Sequence, residues 1–339
     1  MAIGGESRAG AGPLEEPGTG HPGRPAPGTR PTAERDSALP CGIGDRKALP
    51  GPSKERHGYG MDLDLAHLQQ WIGREERAAE ILTPNLVQRF DATFDRESDP
   101  GAGSAAPPLI HFCLAQPIAP TSALDPDGHP ARGGFLPPVP LPRRMWAGGA
   151  FTFHGEIRIG ATVTRRSTIT DVVLKQGRSG PLVFVAVSHE IASDGRPALS
   201  ERQDIVYRDA TAPGNAAGLR ATPAPAGAHC RRVTPSAPFL FRYSALTFNG
   251  HRIHYDAPYV TATEGYPGLI VHGPLQATLL CQAAADLAGA PPARFRFRSL
   301  SPIFDDADFT LNATRGDDGM RLWTARIGGP VAMEAHAEW

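Results

Sequence analysis

Twice along this chain a helical segment precedes a block of strand-like segments, and that order constrains the fold more than any other feature. In the first half Thr83 and Pro84 read as an N-cap and first helical position. Leu86, Val87, Phe90 and Phe94 recur at helical spacing, so a helix of about 83–96 is expected. A short apolar piece at 109–116 and a Pro-rich loop at 133–149, GGFLPPVPLPRRMWAGG, follow. From Phe151 to Arg208 the chain reads as strands. TVTRRSTITDVVL and PLVFVAVSHEIA are rich in β-branched residues and flank the turn signal GRSG, and ALSERQDIVYRD completes an antiparallel meander. The second half offers a polar loop at 247–268, a helix from about 274 to 288 stopped by Gly289, and three strand-like segments. These are ARFRFRSLSPIF, DFTLNATR and MRLWTARIGGPVAMEAHAEW. Helix then sheet, twice, is an α+β order and not the alternating βαβ of a parallel sheet. The halves share no visible repeat, so any duplication is structural only.

Composition marks the edges of these halves. Residues 1–60 hold 13 Gly and 9 Pro and almost no aromatic side chains, too little apolar surface to offset the entropy of ordering. They read either as a disordered tail or as a misassigned start, because globular patterning begins abruptly at Met61; the second reading is favoured here. Seven acidic residues against eight basic ones in this stretch argue against a transit peptide. The expected organisation is a tail at 1–60, a non-catalytic, substrate-binding half at 61–209, a linker at 210–228 and a catalytic half at 229–339. The linker is assigned by its composition, DATAPGNAAGLRATPAPAG.

The formal net charge of −1 and the lack of a long basic run exclude the footprint of a nucleic-acid binder. Cys41, Cys113, Cys230 and Cys281 stand singly, so no zinc knuckle or dithiol motif is indicated. With no secretory signal, a reducing cytoplasm is the expected location. The longest apolar run, around 269–288, is broken by His272, Pro274, Gln276 and Gln282, which reads as a buried helix and not a membrane span.

Chemistry concentrates in 241–280, FRYSALTFNGHRIHYDAPYVTATEGYPGLIVHGPLQATLL. Asn249, His251, Arg252, His254, Tyr255 and Asp256 share one loop, and His272-Gly273 opens the next helix. Imidazole is the side chain whose proton leaves and returns near neutral pH, so this grouping reads as an active site. His251, His254 and Asp256 match no common zinc spacing, and no metal is expected. Without GxGxxG after a strand or a P-loop, no nicotinamide, flavin or nucleotide cofactor is expected either.

The segment resembles the MaoC-like hydratases, whose motif places a small polar residue, Gly, Asp, any residue, Asn, Pro, an aliphatic, His, any residue and Asp in sequence, with an aliphatic pair and His-Gly downstream. Here the register runs Thr247, Phe248, Asn249, Gly250, His251, Arg252, Ile253, His254, Tyr255 and Asp256, then Ile270, Val271, His272 and Gly273. Asn249 stands where the family carries its catalytic Asp, and His251-Arg252 replaces Asn-Pro. That variant is familiar from the type-two hydroxyacyl-thioester dehydratases and the bacterial mesaconyl-CoA and itaconyl-CoA hydratases. WIGREE, the Pro-rich loop, KQGRSGPLVFVAVSHEI and QDIVYRD extend the resemblance over nearly all of 65–339.

The resemblance implies a double hot dog: two halves, each an antiparallel sheet wrapped around a central helix, with one catalytic loop. It implies a hydro-lyase that adds or removes water across the α,β double bond of an acyl thioester, on coenzyme A or an acyl carrier protein. A short branched dicarboxylic acyl group is the expected substrate. The thioester is substrate, not cofactor, and a monomer or homodimer is expected. The carbonyl would meet Gly273 N–H at the positive end of the helix, a kind of donor whose loss costs on the order of 10²–10³ in rate. His254 would exchange protons with water. Asn249 cannot be a base and would orient water or thioester. His251 stays open between a catalytic and a ligand-orienting role, and His272 would hold the helix start. Arg143, Arg144, Arg242 and Arg252 are either surface charge or a clamp for carboxylate or phosphate. The rival readings are an acyl-CoA thioesterase and a non-catalytic thioester-binding module on the same fold.

Overall fold

The computed structural model describes residues 63–98, 100–177, 180–209 and 222–339. The expectations for the tail at 1–60 and for most of the linker lie outside the described residues. The rest belongs to one compact unit, Gly60–Trp339.

In the N-terminal half a short α1 (Leu65–Gln69) leads into β1 (Glu75–Ile81), α2 (Pro84–Thr93) and, after a long loop, β2 (Arg143–Phe153), β3 (Thr162–Gly177), β4 (Gly180–Ser193) and β5 (Arg196–Arg208). The C-terminal half runs β6 (His229–Val233), α3 (Ala237–Leu246), α4 (Ala257–Ala262), α5 (Gly273–Ala288), β7 (Arg294–Ser299), β8 (Phe309–Gly316), β9 (Gly319–Arg326) and β10 (Val331–Glu338). Thr83 caps α2 through its hydroxyl, and Gly289 ends α5 in the left-handed conformation, both as the sequence indicates.

All strands join one antiparallel sheet in the order β1-β3-β4-β5-β2-β7-β10-β9-β8-β6. Each half therefore repeats one topology, outermost strand first, and β2 meets β7 at the centre with Gly148 opposite Arg298 and Thr152 opposite Arg294. This is the expected double hot dog. The Pro-rich loop is shorter than expected, because β2 begins at Arg143. The last sequence segment is two strands, β9 and β10, turned at Gly328-Gly329.

Edge strands β1 and β6 escape sequence patterning for a physical reason. Their residues EERAAEI and HCRRV are mostly exposed and charged, which protects an edge against further pairing and erases hydrophobic alternation. The central helix α5 lies against β7 to β10 and buries Leu275, Leu279, Leu280 and Ala284. Two of its polar side chains are bonded, with Gln276 Oε1 accepting from Thr324 Oγ1 at 2.7 Å and Thr278 Oγ1 donating to Pro274 O at 2.8 Å, whereas the buried Gln282 Nε2 finds no partner among the described residues. No helix among the described residues is long and apolar enough to cross a membrane. The N-terminal half has no comparable central helix. There a four-residue 3-10 turn, Ile110–Cys113, fills the core beside Phe151.

Candidate active site

The residues of the Asn249–Asp256 loop are placed by a chain of local constraints. Phe248 takes φ 50° and turns the chain away from α3. Asn249 N–H then donates to Ser244 O at 2.8 Å, while its Oδ1 accepts from His251 N–H at 3.0 Å, an Asx turn. A single 3-10 turn, Arg252–His254, presents His254 inward. The loop is fastened by Ile270 N–H to Ile253 O at 2.9 Å.

His254 Nδ1 donates to Ile270 O at 2.7 Å. That bond fixes the tautomer and leaves Nε2 as a proton acceptor. Its ring stacks on His272 at 3.6 Å between centroids, and His272 Nε2 bonds Ser244 Oγ at 2.8 Å. His272 is the N-cap of α5 but makes no side-chain cap, so the first amides of the helix, from Gly273 onward, have no intrahelical partner. His251 stands edge-on to His254 at 5.4 Å. The structure thus assembles Asn249, His251, His254, His272 and Gly273 as the sequence suggests.

It also adds a part that sequence reasoning missed. A turn of the N-terminal half, Asp125–Pro130, docks on the loop: Arg252 N–H donates to Asp127 O at 2.9 Å. Gly128, at φ +90°, lies so close to Gly250 that any side chain there would overlap the Gly250 carbonyl. His129 stacks against His251 at 4.0 Å, and its Nδ1 bonds Asp127 Oδ2 at 3.0 Å. Asp-Gly in DPDGHP is a turn signal, but nothing in the sequence says which surface the turn meets.

The four arginines separate. Arg144 lies on the inner face of β2 beside the buried Tyr207 hydroxyl and near His129 and His251, and forms no ion pair among the described residues. Arg143 is committed elsewhere, to Glu264 O at 2.7 Å, Tyr266 Oη at 3.0 Å and the face of the Tyr266 ring. Arg252 is held by Asp256 at 2.9 Å and by Pro126 O at 2.9 Å, and stacks over Tyr259 at 4.0 Å. Asp256 also caps α4 through Tyr259 N–H. Arg242 lines a cavity of about 620 Å³ with Arg89, Phe241 and Phe248, and none of the site histidines lines it.

Burial dominates the electrostatics. It pushes His254 down to about 4 against the opposing bond to Ile270 O. Burial likewise lowers His251 and His272 well below the usual imidazole value, helped by mutual repulsion of the rings. At neutral pH the row is uncharged and able to accept protons. Asp127, His129 and His251 each bring a donor atom within 4.8 Å of the others, a grouping that could hold a cation. Arg144 and Arg132 press positive charge on His129, however, which disfavours a divalent ion there.

Uncapped amides at the start of α5, a neutral imidazole beside them and a small polar loop make a site suited to moving water and one proton. The family model for hydroxyacyl-thioester dehydratase type 2 matches residues 109–305. A mesaconyl-C(4)-CoA hydratase of Chloroflexus aurantiacus is 45% identical over 277 residues, 81% of this chain and 99% of the relative. The chain belongs to the type 2 hydroxyacyl-thioester dehydratases. It is a hydro-lyase of acyl thioesters. Solved structures agree on the fold of this dehydratase. A MaoC-like dehydratase from Phytophthora capsici superposes with a TM-score of 0.61 at 13% identity, covering 82% of this chain and 98% of that one. A Mycobacterium tuberculosis protein described as a double hotdog fold gives 0.50 at 13% identity, over 79% and 96% of the two chains.

Proposed function

We propose that this dehydratase hydrates a short, branched, dicarboxylic enoyl-CoA of the mesaconyl type, with His254 as its acid–base group. The observation that carries the reading is the His254 bond to Ile270 O, which aims an unprotonated Nε2 into the site beside the N-terminus of α5. Hydration then runs without a cofactor. Water oxygen bonds to the β-carbon, the π electrons move to the thioester oxygen, and the released proton goes to His254 Nε2. The enolate collapses by taking that proton at the α-carbon. Gly273 N–H and the helix dipole stabilise the enolate oxygen, and Asn249 orients the water or the thioester.

The substrate class rests on the 45% identical relative and on Arg144, whose guanidinium is suited to a free carboxylate. The fused sheet joins two halves in one chain, so a monomer suffices for a complete site.

The test follows loss of enoyl-thioester absorbance with mesaconyl-, itaconyl- and crotonyl-CoA, for wild type and His254→Ala, with a thiol trap in parallel. Turnover of mesaconyl-CoA that disappears in His254→Ala without thiol release supports the reading. Thiol release would make the protein a thioesterase, and binding with no turnover by either protein would make it a carrier module.

A further inference from the structure

Between its two half-steps the proposed reaction places a positive charge on His254, a buried ring whose hydrogen-bond partner is a neutral carbonyl. Burial opposes that charge, and the motif position that would bring a carboxylate close is occupied by Asn249. A carboxylate is nonetheless present. The rings of His272, His254, His251 and His129 form a continuous row, with successive centroids at 3.6, 5.4 and 4.0 Å. At its far end Asp127 Oδ2 accepts from His129 Nδ1 at 3.0 Å, and Asp127 Oδ1 accepts from His129 N–H at 2.9 Å. Among the described residues it is the one carboxylate hydrogen-bonded to any ring of this row.

The turn carrying this pair is fitted to the loop, not merely near it. Asp127 O takes the Arg252 N–H, Pro126 O takes the Arg252 guanidinium, and Gly128 packs backbone against backbone on Gly250. We propose that the Asp127–His129 turn is a working part of the catalytic site: acting through His251, it supplies from the N-terminal half the negative charge that Asn249 cannot supply from the loop. This rests on the hydratase reading of His254. Asp127 and His129 are positioning residues, holding His251 against the water and lowering the cost of the imidazolium that His254 becomes. No additional proton is consumed, because the proton taken from water is the one returned to the α-carbon.

The electrostatics agree. Burial raises the Asp127 carboxyl, but the side-chain and backbone bonds from His129 and the charges of His129 and His251 together outweigh it, leaving Asp127 ionised. His129 is lowered by burial, with Asp127 opposing that fall and Arg144 and Arg132 adding to it. His251 is pushed down by burial, His129, His254 and Arg144, and raised by Asp127. Tyr259 on α4 and the Arg252 guanidinium also face the turn, and Tyr207 on β5 lies beside Arg144 and Arg132. Removing the Asp127 charge therefore makes protonated His129 and His251 less stable, and acting through His251 it moves the acid limb of the rate profile to lower pH.

The experiment compares wild type, Asp127→Asn, His129→Gln and His254→Ala in mesaconyl-CoA hydration over roughly pH 5–9, the range in which imidazole titrates. Thermal melting of each variant is measured alongside. Asp127→Asn is expected to lower kcat about 10²-fold, with KM within a few-fold and the acid limb displaced downward. His129→Gln keeps the Asp127 charge but removes a ring that lowers His251 and His254, so it should lower kcat with the acid limb displaced upward, and it decides the matter should Asp127→Asn fail to fold. An unmoved acid limb, or a change confined to KM, overturns the proposal and leaves the turn a packing element. Activity lost on dialysis against a chelator and restored by zinc overturns it in favour of a cation site. A wild type that hydrates none of the thioesters removes the hydratase reading itself, and the role proposed for Asp127 with it.

Discussion

The C-terminal half wraps its strands around the sixteen residues of α5, whereas the N-terminal half closes over a turn of four, Ile110–Cys113. The pairing registers show what replaces the missing helix. Followed outward from the β2–β7 junction, they carry Glu201 onto Ala335, His189 onto Leu322 and Ser167 onto Ala313. Where a helix covers the sheet, these positions are apolar. Where only the short turn covers it, His111 bonds Glu201 at 3.1 Å, and His189 bonds Ser167 at 2.8 Å and Gln203 at 3.2 Å. One topology thus supports a dry core with a helix N-terminus that can meet a thioester, and a second core stitched by buried polar groups. The difference sets the half that carries the His254 loop apart from one that brings the Asp125–Pro130 turn and Arg144 of β2 to it.

Exchanging the histidines of the two halves is the sharpest way to break this comparison. His254→Ala should reduce hydration by about 10²–10⁴-fold, as expected for loss of an acid–base group, and leave the melting temperature close to wild type. His111→Ala should do the reverse, lowering stability while the rate per folded molecule stays within a few-fold. Comparable rate losses in both variants would mean that the N-terminal network takes part in the chemistry.

The next effect is on stability. Burial raises the Glu201 carboxyl, but the His111 bond and the charges of His189 and Arg165 outweigh it and hold Glu201 below its usual value. Glu201→Ala strands the polar partners of a buried pair, and urea unfolding should report a loss of about 3–5 kcal/mol. A loss below about 1 kcal/mol would show the scaffold core to be held by its apolar contacts alone.

Acid should act on both halves. His254 is held neutral in the fold, from the ordinary 6.5 down to about 4, and His251, His272 and His189 are lowered in the same direction by burial. The unfolded chain binds these protons first, so stability is fully present above pH 6.5 and declines as pH falls toward 4. The lowered Glu201 carboxyl adds a further loss below the ordinary glutamate value of 4.5. Denaturant midpoints that stay flat from pH 7 to about 5 would contradict the neutral, buried assignment of the row.

What the sequence disclosed follows the same division. α2 has a side-chain cap and a first-turn proline, α5 a first-turn proline and a terminal glycine, and β3 to β5 alternate over long stretches, so their signals are local. The loop around His254 was legible because its residue types are close in sequence. The Asp127–His129 turn was not, because its meaning lies in a contact with Gly250 more than 120 positions away. Arg143 and Arg144 show a further limit. Adjacent in sequence, they face opposite sides of β2, and only register against β5 tells which reaches the site.

The smallest expected effect tests what joins the halves. Arg96, just beyond α2, makes paired hydrogen bonds to Asp286 on α5 at 2.8 and 2.7 Å, the sort of contact easily credited with fastening the two together. Both side chains are substantially exposed, at 36% and 52%, so water and salt screen the pair. The halves are also joined by the β2–β7 ladder and by Phe94, whose ring meets Phe239 at 5.9 Å and Tyr243 at 6.0 Å across the boundary. Asp286→Ala should therefore cost about 0.2–1 kcal/mol, less at high salt, with activity unchanged. A cost above about 2 kcal/mol that persists at high salt would move the weight of the junction from the shared sheet and core to its polar surface.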